Sequence, residues 1–378
     1  MENRLKKVII YGGGVIGGLS SLCLERNGFD VCHITSKIKK DQDRTYALSP
    51  GSIDWLKTCG FRDEFFEILY PIKKIEIFRE EATTTFTSDS VFQPALAYMC
   101  SEKNLMKEIT LKIQSKRIKI YSEPKELKLK KSNDHVLIEL DDKNISASIL
   151  MACDGANSSI KEHLNIKKKV KNFNQSAFVF NFKVSKNILS NAKQYFLHDS
   201  ILALLPISIN TFSVVWSCEQ SFFEKLQEKD DINFIIELKK IVGNDYGKIL
   251  NISERNSFPL SMVLNNKYFD QRIVLMGNAA HAIHPLAGQG LNLGIRDIID
   301  FEKCFKSYPY ADIGLEGFLR RFERSRRIDT FEFSTLTSGL QWIFSRKSKL
   351  INKALIKGIK FLETRDNIKN FLIKKAIS

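Results

Sequence analysis

The sequence predicts an α/β protein: a Rossmann-like dinucleotide-binding domain interrupted by a mainly β insertion and followed by a helical C-terminal tail. Three observations carry this reading. Residues 7–28 run as strand, glycine cluster and apolar helix; a second strand, glycine-rich turn and helix begin near residue 273; and alternating, strand-like runs fill much of the stretch between. The 378 residues, 43% hydrophobic and 27% charged, can bury a sizeable core. With 8 prolines and 19 glycines, collagen-like and proline-rich architectures are excluded.

The elements follow in order. A strand at residues 30–34 completes a βαβ opening. Residues 75–92 alternate and are rich in Thr and Phe, which suggests strands, whereas 105–113 reads as a helix. Runs 136–140 and 145–151 read as a strand pair joined by the polar turn at 141–144. Runs 178–182, 201–207 and 212–216 are again strand-like, and the buried strand 273–276 leads into the second glycine-rich turn. Beyond residue 313 nearly everything has helical character, and no internal repeat is visible.

Seven scattered cysteines (Cys23, Cys32, Cys59, Cys100, Cys153, Cys218, Cys304) form no C-x-x-C pair. Their odd number argues against a disulfide framework or a zinc site and fits a reducing, cytoplasmic setting. No apolar run is long enough for a transmembrane helix, and the N-terminal residues enter a strand at once, which leaves no room for a signal peptide. The net charge of +15 is concentrated in residues 345–378, with ten bases against two acids. Such a balance favours nucleic acid, anionic membrane or an acidic partner; no nucleic-acid-binding module is visible, so nucleic acid is not expected.

The first glycine cluster matches G-x-G-x-x-G at Gly12, Gly14 and Gly17, directly after the strand. Gly12 permits the tight turn, Gly14 lets a pyrophosphate approach the backbone, and Gly17 lets the helix pack closely on the strand. The helix N-terminus then offers free N–H groups to phosphate. The acid expected about 20 residues on, at the end of the second strand, is replaced by Thr35, whose hydroxyl can hold a ribose only without charge assistance.

The decisive stretch is Gly277-Asn278-Ala279-Ala280-His281-Ala282-Ile283-His284-Pro285, followed by Gly288-Gln289-Gly290-Leu291-Asn292. It resembles the G-D-A-A-H-x-x-x-P and G-Q-G-L-N signature of the FAD-dependent aromatic hydroxylases of the para-hydroxybenzoate hydroxylase fold, with Asn278 in place of the Asp. A D-G-x-x-S motif at Asp154-Gly155-Ala156-Asn157-Ser158 and an early arginine, Arg44, stand in the family order. Residues 202–207, 213–217, 258–260 and 322–329 are similar to the ubiquinone-biosynthesis hydroxylases (the UbiH/UbiF group), although Tyr195-Phe196 stands where that group commonly has Arg-Phe.

The resemblance implies FAD as cofactor, NADH or NADPH as electron donor, and molecular oxygen activated as a flavin hydroperoxide that hydroxylates the ring of a polyprenylated phenol. It implies an FAD-binding domain from 1–72, 96–175 and 266–310, a substrate domain from 73–95 and 176–265, and a helical region from 311–378. Gly12, Gly14, Gly17, Thr35, Arg44, Asp154, Gly277, Asn278, Gly290, Leu291 and Asn292 are the expected cofactor contacts. Pro285, Gly288, Gln289 and Gly290 are the candidates beside the flavin ring; no residue that deprotonates the phenol stands out. His281 and His284 could serve acid–base chemistry or could shape the loop; no metal site is expected. The apolar positions of the basic tail (Leu350, Ile351, Ala354, Leu355, Ile359, Leu362; Ile368, Phe371, Leu372) fit either a helix pair lying on anionic lipid at the inner face of the membrane or packed helices with a solvated lysine face. Other quinone-biosynthesis proteins are expected partners. A same-fold flavoprotein with another redox role, or a non-catalytic scaffold subunit, remain the alternatives.

Overall fold

A computed structural model describes residues 6–35, 44–141, 143–282, 290–307, 312–344 and 349–377. The chain opens with β1 (Lys7–Tyr11), α1 (Val15–Arg26) and β2 (Asp30–Thr35). Then come β3 (Thr45–Leu48), α2 (Pro50–Thr58), α3 (Asp63–Glu67), β4 (Tyr70–Ile72), the hairpin of β5 (Lys74–Arg79) and β6 (Ala82–Thr87), β7 (Ala97–Ser101), α4 (Glu102–Gln114) and β8 (Lys119–Ser122). A meander of β9 (Lys128–Lys131), β10 (Val136–Glu139) and β11 (Asn144–Ala147) precedes β12 (Ile149–Ala152) and α5 (Ser159–His163). The insertion continues with β13 (Lys168–Val184), β14 (Asn191–Phe196), β15 (Ser200–Ser208), β16 (Thr211–Glu219), α6 (Gln220–Gln227), α7 (Asp231–Val242), β17 (Ile249–Ile252) and β18 (Asn256–Asn265). Finally come β19 (Phe269–Asp270), β20 (Ile273–Leu275), β21 (His281–Ala282), α8 (Gly290–Ser307), α9 (Glu316–Phe344), α10 (Lys349–Glu363) and α11 (Asp366–Ile377).

Two large sheets organise the molecule. The first has the order β19-β20-β12-β1-β2-β8, parallel throughout except for the edge strand β19. The inner strands β1, β12 and β20 are almost wholly apolar because both faces are covered: Val8, Ile10 and Val31 pack with the helices on one side, and Ile9, Cys32 and Ile34 with the β9–β11 meander on the other. The expected hairpin of 136–140 with 145–151 is divided at Ser148. β11 pairs with β10, whereas β12 leaves to join β1, because Ser148 donates from both its backbone N–H and its hydroxyl to the Lys7 carbonyl.

The second sheet has the order β21-β18-β13-β16-β15-β14-β5-β6, with β17 beside β13. The expected border at residue 176 falls inside β13, at the register shift between Asn172 and Ser176, since one long strand pairs with β18 on both sides of that shift. One face is filled: Phe178, Trp216, Leu202 and Tyr195 form a cross-strand row packed with Phe223 and Phe234 of α6 and α7. The other face is turned toward the small sheet β3-β7-β4, where Leu205 and Ile207 meet Ile72 and Met99.

The basic tail folds as two helices, and part of their apolar surface is used inside the molecule. Leu355 packs with Ile77, Phe196 and Ile201, and Ile373 with Val91 and Leu96. Buried Arg79 donates to Asn352 Oδ1 (2.9 Å) and to the Leu197 carbonyl (2.7 Å), while Glu363 Oε2 accepts from the Thr84 hydroxyl (2.8 Å) and the Thr85 N–H (2.9 Å). Phe361, Ile368, Phe371 and Leu372 stay exposed. No helix among the described residues is long and apolar enough to cross a membrane.

Candidate active site

The site lies at the carboxyl ends of the parallel strands, where open α/β sheets hold their ligands. Gly12 directly follows β1 with φ +127°, a backbone that L side chains rarely adopt; a Cβ there would lie 2.5 Å from the Cys153 carbonyl. A Cβ on Gly17 would overlap the Gly12 carbonyl oxygen, so α1 can start this close to the strand only with glycine at that position. Gly14 is the N-cap of α1 and has no side-chain cap, and a Cβ placed on it would meet nothing within 4 Å among the described residues. Uncapped N–H groups therefore face open space, the arrangement that receives a phosphate. Buried His33 donates from Nε2 to the Gly12 carbonyl (3.0 Å), and burial lowers its pKa, which favours the neutral imidazole that clamps this turn.

Asp154 follows β12. Its Oδ2 accepts from the Ser159 hydroxyl and the Ile160 N–H, both at 3.3 Å, and burial pushes its pKa up. Its Oδ1 is buried without a hydrogen-bond partner among the described residues. Such an atom costs free energy until something donates to it. An uncapped helix start, an open glycine cradle and an orphaned carboxylate oxygen suit the diphosphate and sugar hydroxyls of a dinucleotide.

The second glycine-rich turn meets the first through Ile16. A Cβ on Gly277 would lie 3.1 Å, and one on Gly294 2.7 Å, from Ile16 side-chain atoms, so both glycines let the turn and α8 close on α1. Asn278 is exposed, and Gly290 is exposed at the start of α8, where a Cβ would meet nothing within 4 Å among the described residues. Leu291 is half-buried against the core. Asn292 is spent inside the protein: its Oδ1 accepts from the Ser49 N–H and the Ser52 hydroxyl (both 2.9 Å), and its Nδ2 donates to the Ala47 carbonyl (2.7 Å). It thereby fixes the start of α8 against β3 and α2. Arg44 is exposed just before β3, and Thr35 is half-buried at the end of β2. His284, Pro285, Gly288 and Gln289 lie outside the described residues.

His281 is not a free imidazole. Its Nε2 donates to Asp297 (2.9 and 3.1 Å), and Asp297 also accepts from the Gly277 N–H (2.7 Å) and Arg326 Nε (2.6 Å). The Asp297 and Arg326 side chains are each 1% exposed. Burial would raise the Asp297 carboxyl, but His281, Arg326 and the Gly277 N–H hold it below its usual range. One carboxylate thus ties the Gly277 turn, α8 and α9 together, and His281 is part of that tie. Asp297, Arg326 and His33 were not singled out from the sequence; an ionisable residue on the apolar stripe of α8 was the available signal for Asp297. Among the described residues no group of His, Cys, Asp and Glu could hold a metal.

Comparison with known proteins agrees with this geometry. Residues 6–306 match the model of the FAD binding domain family. The chain belongs to that family. It is similar to the ubiquinone hydroxylase UbiL of Rhodospirillum rubrum, 25% identical and covering 99% of this chain and 90% of that protein. It is 27% identical to the 3-demethoxyubiquinol 3-hydroxylase of Escherichia coli, over 88% of each chain. It is also 27% identical to the mitochondrial ubiquinone biosynthesis monooxygenase COQ6 of Danio rerio, over 91% of this chain and 84% of that one. Among solved structures, p-nitrophenol 4-monooxygenase PnpA from Pseudomonas putida superposes with a TM-score of 0.80 at 14% identity, covering 99% of this chain and 98% of that one. Klebsiella pneumoniae HpxO, complexed with FAD and uric acid, superposes with a TM-score of 0.74 at 15% identity, covering 98% of this chain and 96% of that one. These two show the shared fold.

Proposed function

We propose that this protein is an FAD-dependent, NAD(P)H-consuming monooxygenase that hydroxylates the ring of a polyprenylated phenol in ubiquinone biosynthesis. The observation that carries the reading is the second face of the nine-stranded sheet. Its central cross-strand row is Val179, Val215, Ala203, Gln194 and Ile77, and the next rows add Ser213, Ser217 and Leu205. Their opposite-face neighbours Phe178, Phe180, Leu202, Leu204, Val214 and Trp216 are buried at 0–2% exposure, whereas Val179, Ala203, Leu205 and Val215 are only half-buried. Leu205 reaches the small sheet beside the dinucleotide site. Apart from Gln194, Ser213 and Ser217 these positions are apolar, and Arg79, the cation two residues beyond Ile77 on the same face, is buried and engaged by Asn352 and the Leu197 carbonyl. A mainly apolar, partly covered surface suits a neutral ring with a hydrocarbon tail; a carboxylated ring would require an available cation there.

In this reading residues 1–72, 96–175 and 266–310 hold the flavin, residues 73–95 and 176–265 roof the substrate, and bound flavin supplies the activation of molecular oxygen. Gly12, Gly14, Gly17 and Asp154 would hold the dinucleotide, with Thr35 and Arg44 beside it. Gly277, Asn278, Gly290 and Leu291 would shape the approach to the ring system, as would Pro285, Gly288 and Gln289. The protein's own work is to bind, orient and exclude water. The test is to gel-filter the protein with FAD, record the retained visible spectrum, and measure NAD(P)H oxidation with and without a prenylated phenol in detergent micelles. Retained flavin with substrate-stimulated oxidation supports the reading; flavin retained with oxidation indifferent to every phenol favours another redox role.

The exposed Phe361 (53%) and Phe371 (66%) lie on the basic α10–α11 pair. We infer contact with an anionic membrane surface, where a polyprenyl substrate resides. Co-sedimentation with anionic but not neutral vesicles, weakened in a Phe361→Ser, Phe371→Ser double variant, supports it; equal binding to both vesicle types or to neither contradicts it.

A further inference from the structure

The dinucleotide site lacks an acid at the end of β2, where Thr35 stands, yet a carboxylate sits one strand away. β8 runs parallel to β2 with Ser122 paired to Thr35, and the next residue, Glu123, donates its backbone N–H to the Thr35 carbonyl (3.2 Å). Its side chain turns inward over the strand ends. Glu123 Oε1 accepts from the Tyr11 hydroxyl (2.9 Å), and Tyr11 is the last residue of β1, one residue before Gly12. Burial and the Glu123 carboxylate push the Tyr11 hydroxyl well up, so it stays protonated and remains the donor. Glu123 is otherwise exposed, and its Oε2 takes no hydrogen bond or ion pair among the described residues. The result is a carboxylate held from below by a buried tyrosine, at the carboxyl edge of β8, β2 and β1, with one oxygen open.

We propose that Glu123 supplies the carboxylate for the adenosine ribose hydroxyls of FAD, in place of the acid missing at Thr35. Two neighbouring ribose hydroxyls are donors, and a charged acceptor binds them more strongly than a threonine hydroxyl can. Tyr11 is a positioning residue here: it fixes the carboxylate across β2, and the buried end of β1 fixes it in turn. The inference rests on FAD binding by this chain and is independent of which ring is oxidised, so its failure leaves the hydroxylase reading standing.

The test uses the full chain, stripped of bound flavin and titrated with FAD or with its analogue lacking the adenosine 2′-hydroxyl, followed by flavin fluorescence. The parent is expected to prefer FAD by about ten-fold or more, the range of a hydrogen bond to a charged group. Glu123→Gln is isosteric at an exposed position, so its cofactor-free melting temperature stays at the parent value while its preference for FAD over the analogue collapses. Tyr11→Phe keeps the charge but frees the side chain, and loses part of the preference. A parent indifferent to the 2′-hydroxyl, or a Glu123→Gln variant that keeps the parent's preference, overturns the proposal.

Discussion

Replacing Asp297 by alanine removes one carboxylate and strands three donors. The Gly277 N–H and His281 Nε2 lose their acceptor in a site with no water-facing alternative, each unsatisfied group costing about 1–3 kcal/mol. Arg326 loses its 2.6 Å partner but keeps Asp300 at Nη1 and Asp329 at Nη2, both 2.7 Å, which caps its share of the loss. Breaking one side of a buried pair generally costs about 3–5 kcal/mol, and that is the loss expected for Asp297→Ala. Asp297→Asn keeps one acceptor oxygen and should lie between parent and alanine. Urea unfolding reads the loss as a lower midpoint at unchanged slope. Because the Gly277 turn is released with it, FAD retention on gel filtration should fall in parallel. An Asp297→Ala variant within about 1 kcal/mol of the parent, the range of exposed ion pairs, would refute the reasoning.

Gly12→Ala should abolish FAD retention, since its Cβ would strike the Cys153 carbonyl and its φ of +127° is unfavourable for alanine; the retained visible spectrum checks it. Trp216→Ala, at 0% exposure beneath the filled face, should cost about 3–5 kcal/mol in urea unfolding. Burial alone would raise the Glu302 carboxyl, but Lys306, Trp55, Asn27 and Arg26 hold it at about 2, below its ordinary 4.5. Its folded-state pKa is depressed, so its contribution is full above pH 4.5 and lost as pH falls toward about 2. Glu302→Gln should flatten that part of the stability–pH profile; an unchanged profile would show that the carboxylate contributes nothing there. Val215→Arg, which places a charge in the half-open row, should suppress phenol-stimulated NAD(P)H oxidation while FAD stays bound; undiminished stimulation would place the ring elsewhere.

The βαβ opening was legible because the constraint is local: Gly12, Gly14 and Gly17 each answer a steric demand within a few residues of chain. Strand and helix periods likewise located most elements. The break at Ser148 was not legible, since 145–151 (Ile-Ser-Ala-Ser-Ile-Leu-Met) carries no glycine, proline or charged residue to mark a turn, and only the pairing partners, β10 on one side and β1 on the other, divide it. Partnerships across long sequence separations were hidden for the same reason. Nothing near Glu123 announces Tyr11, 112 residues earlier, and nothing near Asp297 announces Arg326. In the tail, helical spacing picked out Leu355, which is covered by the β5–β6 end of the sheet, but in the last helix it pointed to Ile368, Phe371 and Leu372, which are exposed, and missed Ile373, which is buried. Periodicity shows which residues share a face and not what covers it.

Ring hydroxylation is tested most directly by turnover of a prenylated phenol with NAD(P)H under isotopically labelled dioxygen, followed by mass spectrometry of the product. A product carrying one labelled oxygen atom on the ring is the expected result. NAD(P)H consumed with the phenol recovered unchanged, or a product whose new oxygen is unlabelled, would contradict it.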